Sequence, residues 1–145
     1  MEKIDRQIVE LLATDGRMSY TDLGKATGLS TSAVHQRVKR LEERGVITGY
    51  AAAINHAVTG RALTAFISIT PFDPAAPDDY PDLLRGIKEI ESCWSVAGEE
   101  SYILKIRVPT PADLEELLAR VRVVANVATR TTIVLSTPYE NRPVG

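Results

Sequence analysis

Apolar positions in the first third of the chain recur with the spacing of helices rather than of strands. Val34, Val38 and Leu41 follow one another at intervals of four and three, so they form the buried stripe of a helix predicted from about Thr31 to Arg44. An earlier helix is predicted over residues 3–14, from the stripe of Ile4, Ile8, Leu11 and Leu12. Between these two, the pattern over residues 19–27 predicts one more, shorter helix.

The junction between the second and third predicted helices has the residues of a tight turn. Ser19, followed three residues later by Asp22, resembles a capping box at the start of the second helix. Gly28 can adopt the left-handed conformation that ends this helix, and Ser30 or Thr31 can cap the next one. A short helix, a sharp turn and a longer helix, braced by the helix over residues 3–14, together predict a helix-turn-helix unit.

The outer face of the third predicted helix has the chemistry that the major groove of DNA requires. Short hydroxyls at its start suit phosphate oxygens, and His35 and Gln36 suit base edges. Lys39 and Arg40 suit guanine or the phosphate backbone. The predicted DNA-binding residues are Ser30, Thr31, Ser32, His35, Gln36, Lys39 and Arg40. A solvated amphipathic helix is the alternative, but the tight turn before a longer, basic helix favours DNA binding.

From residue 63 onward the pattern alternates between strands of period two and helices. The predicted order is strand, helix, strand, strand, helix, strand, with bounds Leu63–Thr70, Asp82–Ile90, Glu91–Ala97, Ser101–Val108, a helix beginning at Thr110, and Asn126–Thr137. Thr110 as a cap and Pro111 at the first helical position mark the start of the second of these helices. Residues 46–54 are β-rich and predict a strand-like linker that could pair with its copy in a second subunit.

That order closes into a four-stranded antiparallel sheet with both helices on one face, the ferredoxin-like βαββαβ sandwich. The predicted fold class is therefore α+β. It has an N-terminal winged-type helix-turn-helix domain over residues 1–45, an extended linker over 46–61 and a ferredoxin-like domain over 62–145. No element covers the other face of the sheet, which would expose Phe66 and Ile103. We expect a second chain to cover it, so the protein is predicted to be at least a dimer.

Composition and charge narrow the possible functions. The formal net charge of −2 and the sequence pI of about 5.7 argue against a protein that coats nucleic acid through bulk positive charge. Residues 30–44 alone have four basic and two acidic side chains, so the predicted DNA reader is locally basic on an acidic body. The single cysteine, Cys93, can form neither an internal disulfide nor a metal cluster. The charged, amphipathic N-terminus is neither a signal peptide nor a membrane span, which predicts a cytoplasmic protein.

The sequence lacks the motifs of catalysis. No glycine-rich phosphate loop, paired catalytic carboxylates, Cys–His dyad or metal-ligand spacing stands out, and His35 and His56 lie in different segments. Ferredoxin-like sandwiches do include catalysts such as acylphosphatases, but fold analogy alone assigns no function. We therefore expect no enzymatic activity, no cofactor and no metal.

The run LGKATGLSTSAVHQRVKRLEERGVITGYAAAIN, followed by the βαββαβ half, resembles the Lrp/AsnC (feast/famine) family of bacterial transcription factors. The segment IESCWSVAGEESYILKIRV, from Ile90 to Val108, is similar to that of actinobacterial LrpA members. The resemblance covers essentially the whole chain and is specific, because two unrelated modules occur in the expected order and spacing. It implies a DNA reader joined to a RAM/ACT-like domain, homodimers formed through the C-terminal sheets, a homo-octamer of these dimers, and amino-acid effectors bound between dimers.

The resemblance also implies an effector site, formed by Gly98, Glu99, Glu100, Ser101, Tyr102, Asn126, Thr129 and Thr131. Turn amides and hydroxyls can hold a carboxylate, and Glu99 or Glu100 can hold an ammonium group. The family commonly carries an aspartate where this chain has Ser101. Either Glu100 substitutes for that carboxylate, or backbone carbonyls recognise the amine. The alternative is that residues 98–101 form only a polar hairpin turn.

Two functions are compatible with these features. One is a sequence-specific regulator whose assembly and DNA binding respond to small amino acids, as the family resemblance implies. The other is an architectural protein that bends and packages DNA without an effector, for which the hairpin over residues 98–102 would have no use. Affinity for operator and random DNA across a salt series separates them, because only a regulator prefers its site by orders of magnitude.

Overall fold

The computed structural model describes the whole chain, Met1–Gly145, as two compact units. The first unit comprises Met1–Ala53 together with Pro138–Gly145, and the second comprises Ile54–Thr137. This division differs from the domain bounds expected from the sequence, because residues 46–53 and the C-terminal segment make their contacts within the helical unit. No helix of either unit combines the length and the apolar character needed to cross a membrane.

Three helices build the first unit: α1 (Lys3–Thr14), α2 (Tyr20–Thr27) and α3 (Thr31–Glu43). Their inward stripes meet in one core of Ile8, Leu12, Leu23, Val34, Val38 and Leu41. The side-chain amide of Gln7 donates a hydrogen bond to the carbonyl of Ala26 at 3.1 Å, which ties α1 to α2. Because each helix buries only one stripe, all three are needed to hold α3 on a rigid support.

Capping groups and one left-handed residue set the turn between α2 and α3. Ser19 Oγ accepts the N–H of Asp22 at 3.0 Å, and Ser30 Oγ accepts the N–H of Ala33 at 3.2 Å. Both helices therefore begin at the predicted caps. Gly28 has a φ of +78°, a conformation that favours glycine, and it ends α2. The predicted helix-turn-helix is confirmed.

The segment after α3 contains no strand, since residues 44–62 form turns and irregular backbone. The predicted strand-like linker, and with it a β-wing on the helical unit, is therefore absent from the single chain. The N–H groups of Val46 and Ile47 instead donate to the carbonyl of Leu41, at 2.9 and 3.1 Å. A β-rich segment becomes a strand only beside a second strand that satisfies its backbone groups, and no strand of this chain pairs with it.

The second unit is an antiparallel sheet packed on two helices. Its elements are β1 (Leu63–Pro71), α4 (Tyr80–Leu84), β2 (Ile90–Ser95), β3 (Tyr102–Val108), α5 (Pro111–Ala125) and β4 (Val127–Ile133). The sheet order β2-β3-β1-β4, with every pair antiparallel, is that of the predicted ferredoxin-like sandwich. The buried core joins the inner faces of β1 and β3 to α5, through Ile67, Leu104, Ile106, Leu117 and Val121.

Helix α5 begins with the capping groups that the sequence indicates. Thr110 Oγ1 accepts the N–H of Asp113 at 3.3 Å, and the Asp113 carboxylate accepts the N–H of Thr110 at 3.1 Å. Pro111 occupies the first helical position, where its missing N–H has no helical partner to lose. At the other end, Asn126 has a φ of 49° and ends the helix in the left-handed region.

Two predicted elements of this unit are wrong in extent. The helix predicted over Asp82–Ile90 is only Tyr80–Leu84, because the N–H of Ile87 bonds to Leu84 and the N–H of Ile90 bonds to Ile87, as successive turns. The strand predicted over Asn126–Thr137 ends at Ile133. The N–H of Val134 still donates to the carbonyl of Thr64 at 2.9 Å, but β1 begins at Leu63, so the register leaves residues 136 and 137 without a partner strand.

Candidate functional site

The outer face of α3 gathers the seven predicted DNA-binding residues, all of which are exposed at the start or along the length of that helix. Gln36 and Arg40 are four residues apart and share one side of it. Lys39 Nζ lies 4.0 Å from the Glu43 carboxylate, and both side chains are mostly exposed. Exposed pairs of this kind contribute about 0–1 kcal/mol, so DNA phosphates can compete with Glu43 for Lys39.

Two of the seven residues also have structural contacts within the unit. The imidazole of His35 packs edge-on against the Tyr20 ring, with ring centroids 5.3 Å apart. Ser30 Oγ caps α3 and lies 3.3 Å from Ser32 Oγ. Among the seven, Gln36, Lys39 and Arg40 are the exposed long side chains outside these ring and capping contacts.

Arg37, which contributes to the positive charge counted for the predicted reader, is turned toward α1. Its Nη1 donates to a carboxylate oxygen of Asp5 and to one of Glu2, each at 3.0 Å. The hydrogen bonds to Asp5 and Glu2 raise the pKa of Arg37 above its usual value. The local positive charge of α3 is therefore smaller than the sequence count indicates.

Gly24 is a feature of the turn that the sequence analysis did not identify. A Cβ at this buried glycine would lie 2.6 Å from the carbonyl oxygen of Leu29, closer than atoms of the two groups can approach. The N–H of Leu29 donates to the carbonyl of Gly24 at 3.1 Å, so the chain after the turn returns directly over α2. A glycine inside a helical pattern was the available signal, since it marks close approach of another backbone.

The hairpin between β2 and β3 carries five of the eight predicted effector residues. Gly98 and Glu99 are exposed, and Glu100 and Ser101 are half-buried. The N–H of Ser101 donates to the carbonyl of Ile69 at 3.0 Å, and its own carbonyl accepts from Val96 at 3.1 Å. The hairpin is thus anchored to the end of β1, while Glu99 remains exposed and Glu100 half-buried.

Tyr102 differs from the rest of the hairpin because its side chain is buried among the helices of the sheet unit. Its hydroxyl donates to Asp78 at 2.8 Å, and its ring packs against Tyr80 with centroids 6.2 Å apart. The hydrogen bond to Asp78 is the main cause that raises the pKa of Tyr102. Tyr102 therefore fixes the loop before α4, and a ligand would have to compete with Asp78 for its hydroxyl.

Of the remaining three predicted effector residues, Asn126 ends α5, while Thr129 and Thr131 lie within β4. Thr129 stands opposite Ile69, which also stands opposite Tyr102, so β1 separates Thr129 from Tyr102. Thr131 is half-buried and pairs with Ile67 on the same face. Tyr102 lines a cavity of about 540 Å³, whereas Asn126 lines a different cavity of about 190 Å³. The single chain brings Tyr102, Asn126 and Thr129 to one end of the sheet, with Thr131 further along β4, but it does not bring them into one pocket.

The sheet face opposite the helices carries an apolar patch beside an ionic cluster. Phe66 and Trp94 stack with ring centroids 6.4 Å apart, and Ile103 pairs with Trp94 in the sheet register. Next to them Glu91 accepts hydrogen bonds from Arg107 and, at 3.5 Å, from Lys105. Although partial burial acts to raise it, the pKa of Glu91 is lowered by these two cations. Trp94 extends the exposed face predicted from Phe66 and Ile103.

The chain combines a helix-turn-helix, whose second helix α3 is exposed, with a βαββαβ sheet unit. This combination is typical of DNA-binding proteins that have a separate second domain. Residues 1–42 match the AsnC-type helix-turn-helix domain, and residues 64–144 match the Lrp/AsnC ligand binding domain. The chain therefore belongs to the Lrp/AsnC family of transcriptional regulators, which confirms the resemblance found in the sequence.

The similarity of this chain to known relatives and to a solved structure extends over nearly its full length. The chain is 54% identical over 142 residues to the HTH-type transcriptional regulator LrpA of Mycobacterium tuberculosis, covering 98% of this chain and 95% of that protein. It is 36% identical to the leucine-responsive regulatory protein of Escherichia coli, covering 93% and 85%. A feast or famine regulatory protein from M. tuberculosis in complex with L-methionine superposes with a TM-score of 0.97 at 53% identity, covering 99% and 97% of the two chains.

Proposed function

We propose that this protein is a sequence-specific transcriptional regulator whose assembly and DNA binding respond to a small amino-acid effector. The main observation behind this proposal is that one chain joins the exposed, capped helix α3 to a unit that matches a ligand-binding domain. A relative named as a transcriptional regulator and a similar structure containing L-methionine support the two halves. Its partners would be double-stranded DNA and the effector, it would act in the cytoplasm, and its role needs neither catalysis nor a cofactor.

Gln36→Ala and Arg40→Ala are expected to weaken DNA binding in different ways. Loss of Arg40 removes a phosphate or guanine contact, so affinity should fall for every duplex and the slope of log K against log salt should decrease by about 1. Loss of Gln36 should cost about 1–3 kcal/mol on the preferred duplex and relax the preference at one base pair. Fluorescence anisotropy with a duplex selected from a random pool, across a salt series, measures both effects.

Arg85→Ala is the matched control for these two variants, because it removes an exposed arginine from the sheet unit and should change neither quantity. Equal weakening of all duplexes by Gln36→Ala and Arg40→Ala would remove Gln36 from base recognition. Equal affinity of the native protein for selected and random duplexes would favour an architectural function and contradict the proposed regulator.

We place the effector at the hairpin end of the sheet unit. Half-buried Glu100 can pair with the ammonium group, and turn amides of residues 98–101 can hold the carboxylate. Asn126, Thr129 and Thr131 would complete the site. Because these groups do not share one pocket within a single chain, an effector bound between copies would take its second wall from another subunit.

One or more of the twenty amino acids should raise the melting temperature. A ligand present at a free concentration of 100 times its Kd stabilises the native state by about 2.7 kcal/mol. Glu100→Gln should weaken this response by about tenfold in apparent affinity, since it removes one charged hydrogen bond. Thermal denaturation across the panel, with methionine included, measures the response. Glu115→Gln, an exposed change on α5, is the control. If Glu100→Gln responds like the native protein, the ammonium is bound elsewhere.

Two surfaces of the sheet unit support assembly as dimers and then as an octamer. The helix-free face, with Phe66, Trp94 and Ile103, would form the dimer. On the helix side, Leu83 of α4 and Val124 of α5 line one cavity, and the neighbouring Val123 is 84% exposed. These apolar groups lie at the effector end of the sheet, so contacts between dimers there would bury them together with the ligand.

A further inference from the structure

Arg37 forms the ion pairs that join α3 to the start of α1, one with Asp5 and one with Glu2. Arg37 lies in the middle of α3, next to Gln36, and Asp5 and Glu2 lie at the start of α1. Helix α1 does not carry any predicted DNA-binding residue. The pairs therefore connect the middle of α3 to the N-terminal end of α1, across 32 and 35 residues of sequence.

Burial separates the Arg37–Asp5 pair from the Lys39–Glu43 pair, whereas Glu2, the second partner of Arg37, is 72% exposed. The Arg37 side chain is 27% exposed and that of Asp5 is 13% exposed, whereas Lys39 and Glu43 are 67% and 62% exposed. Partly buried pairs are less screened by water and salt than exposed ones, and two acceptors hold the guanidinium in one orientation. The Arg37–Asp5 contact can therefore fix a geometry, while the Lys39–Glu43 contact cannot.

The surroundings of Arg37 connect it to the DNA-reading face. Met1, Glu2, Asp5, Arg37, Arg40, Leu41 and Arg44 line a cavity of about 210 Å³. Arg40, one of the proposed DNA contacts, thus lies beside the two carboxylates that Arg37 already engages. Without Arg37, Glu2 and Asp5 would be free to pair with Arg40 and to draw it away from a duplex.

We propose that Arg37 is a positioning residue for DNA recognition: by engaging Asp5 and Glu2, it fixes the rotation of α3 against α1 and keeps Arg40 available to DNA. This role rests on the proposed DNA-reading function of α3. It assigns no DNA contact to Arg37 itself. It also gives α1, through Asp5, an effect on sequence preference without touching a base.

Asp5→Asn tests the role by the direction of its effect. The variant should reduce the ratio of affinities for the selected and random duplexes by about three- to tenfold, with the salt slope unchanged. Glu43→Gln is the matched control, because it also neutralises the partner of a basic residue on α3, and it should leave the ratio unchanged. The exchange of the pair, Asp5→Arg with Arg37→Asp, should restore part of the ratio.

Direct contact between Arg37 and DNA would give the opposite result. If Arg37 is a DNA contact masked by Asp5, Asp5→Asn should tighten binding to both duplexes and steepen the salt slope by about 1. That outcome, or an unchanged ratio, would overturn the positioning role. Arg37→Lys, which keeps the charge but loses the fork of donors, gives the same comparison if Asp5→Asn lowers the melting temperature below that of the assay. A native protein that prefers no duplex would instead contradict the proposed function.

Discussion

Gly24→Ala is expected to abolish site-specific DNA binding while the sheet unit stays folded. The added Cβ would meet the Leu29 carbonyl oxygen at 2.6 Å, and a backbone atom cannot move aside as the end of a side chain can. The turn must then open, at a cost of about 1–3 kcal/mol, and α3 changes its angle to α2. Affinity for the selected duplex should fall toward the non-specific level, a loss of roughly 10³-fold or more, as measured by anisotropy.

Gly86→Ala is the control for this change, since a Cβ there meets nothing within 4 Å and the residue lies in the sheet unit. Gly28→Ala, in the same turn, should have a smaller effect on DNA affinity than Gly24→Ala. Its Cβ also meets nothing, so only the cost of the left-handed backbone, about 1–2 kcal/mol, applies. Native affinity in Gly24→Ala would mean that the turn tolerates displacement and that α3 is not held through it.

Ile103→Glu is expected to dissociate the proposed assembly into monomers, each with the mass of one 15.9 kDa chain. Ile103 lies on the helix-free face beside Trp94, and burying a carboxylate there without a partner costs several kcal/mol. Two copies of α3 in the proposed dimer would reach successive turns of the major groove, so DNA affinity should fall when the dimer is lost. Light scattering measures the mass, and anisotropy with the selected duplex measures the binding.

Two other charge insertions distinguish the surfaces. Val123→Glu, on the helix side, should stop assembly at the dimer and weaken the effector response without forming monomers. Val58→Glu changes an equally exposed valine in the linker region and should leave the mass unchanged. A dimeric Ile103→Glu protein would contradict a dimer formed through the sheet face, and an octameric Val123→Glu protein would contradict the proposed contact between dimers.

The features that sequence analysis predicted well are those that depend on neighbouring residues. The caps at Ser19, Ser30 and Thr110 form as expected, because a side chain that accepts the N–H three residues later needs no distant partner. The alternation along β1 and β3 likewise identified the strands of the sheet core. The helix predicted from Leu83, Leu84, Ile87 and Ile90 ends early, at Leu84, since the same spacing also suits successive turns that pack apolar side chains against a sheet.

The effector residues show the limit of motif transfer. The hairpin and the α5–β4 junction lie at the same end of the sheet, but β1 stands between them and they share no pocket within one chain. The alternation of β3 puts Tyr102 on the inner face with Leu104 and Ile106. Nothing in the sequence, however, indicates that its hydroxyl would bond to Asp78, a residue of a proline-rich loop. Such a contact joins segments 24 residues apart, and neither segment has a pattern that specifies the other.

Local patterns were therefore sufficient for the class of each element of the sheet unit, for the helix-turn-helix and for the outward face of α3, because periodicity and capping act over a few residues. The tertiary structure alone decided that Arg37 faces α1, that Gly24 lies under the Leu29 carbonyl and that the linker forms no strand within the chain. Each of these depends on which distant backbone or side chain packs against the residue, and that is fixed only when the whole unit has folded.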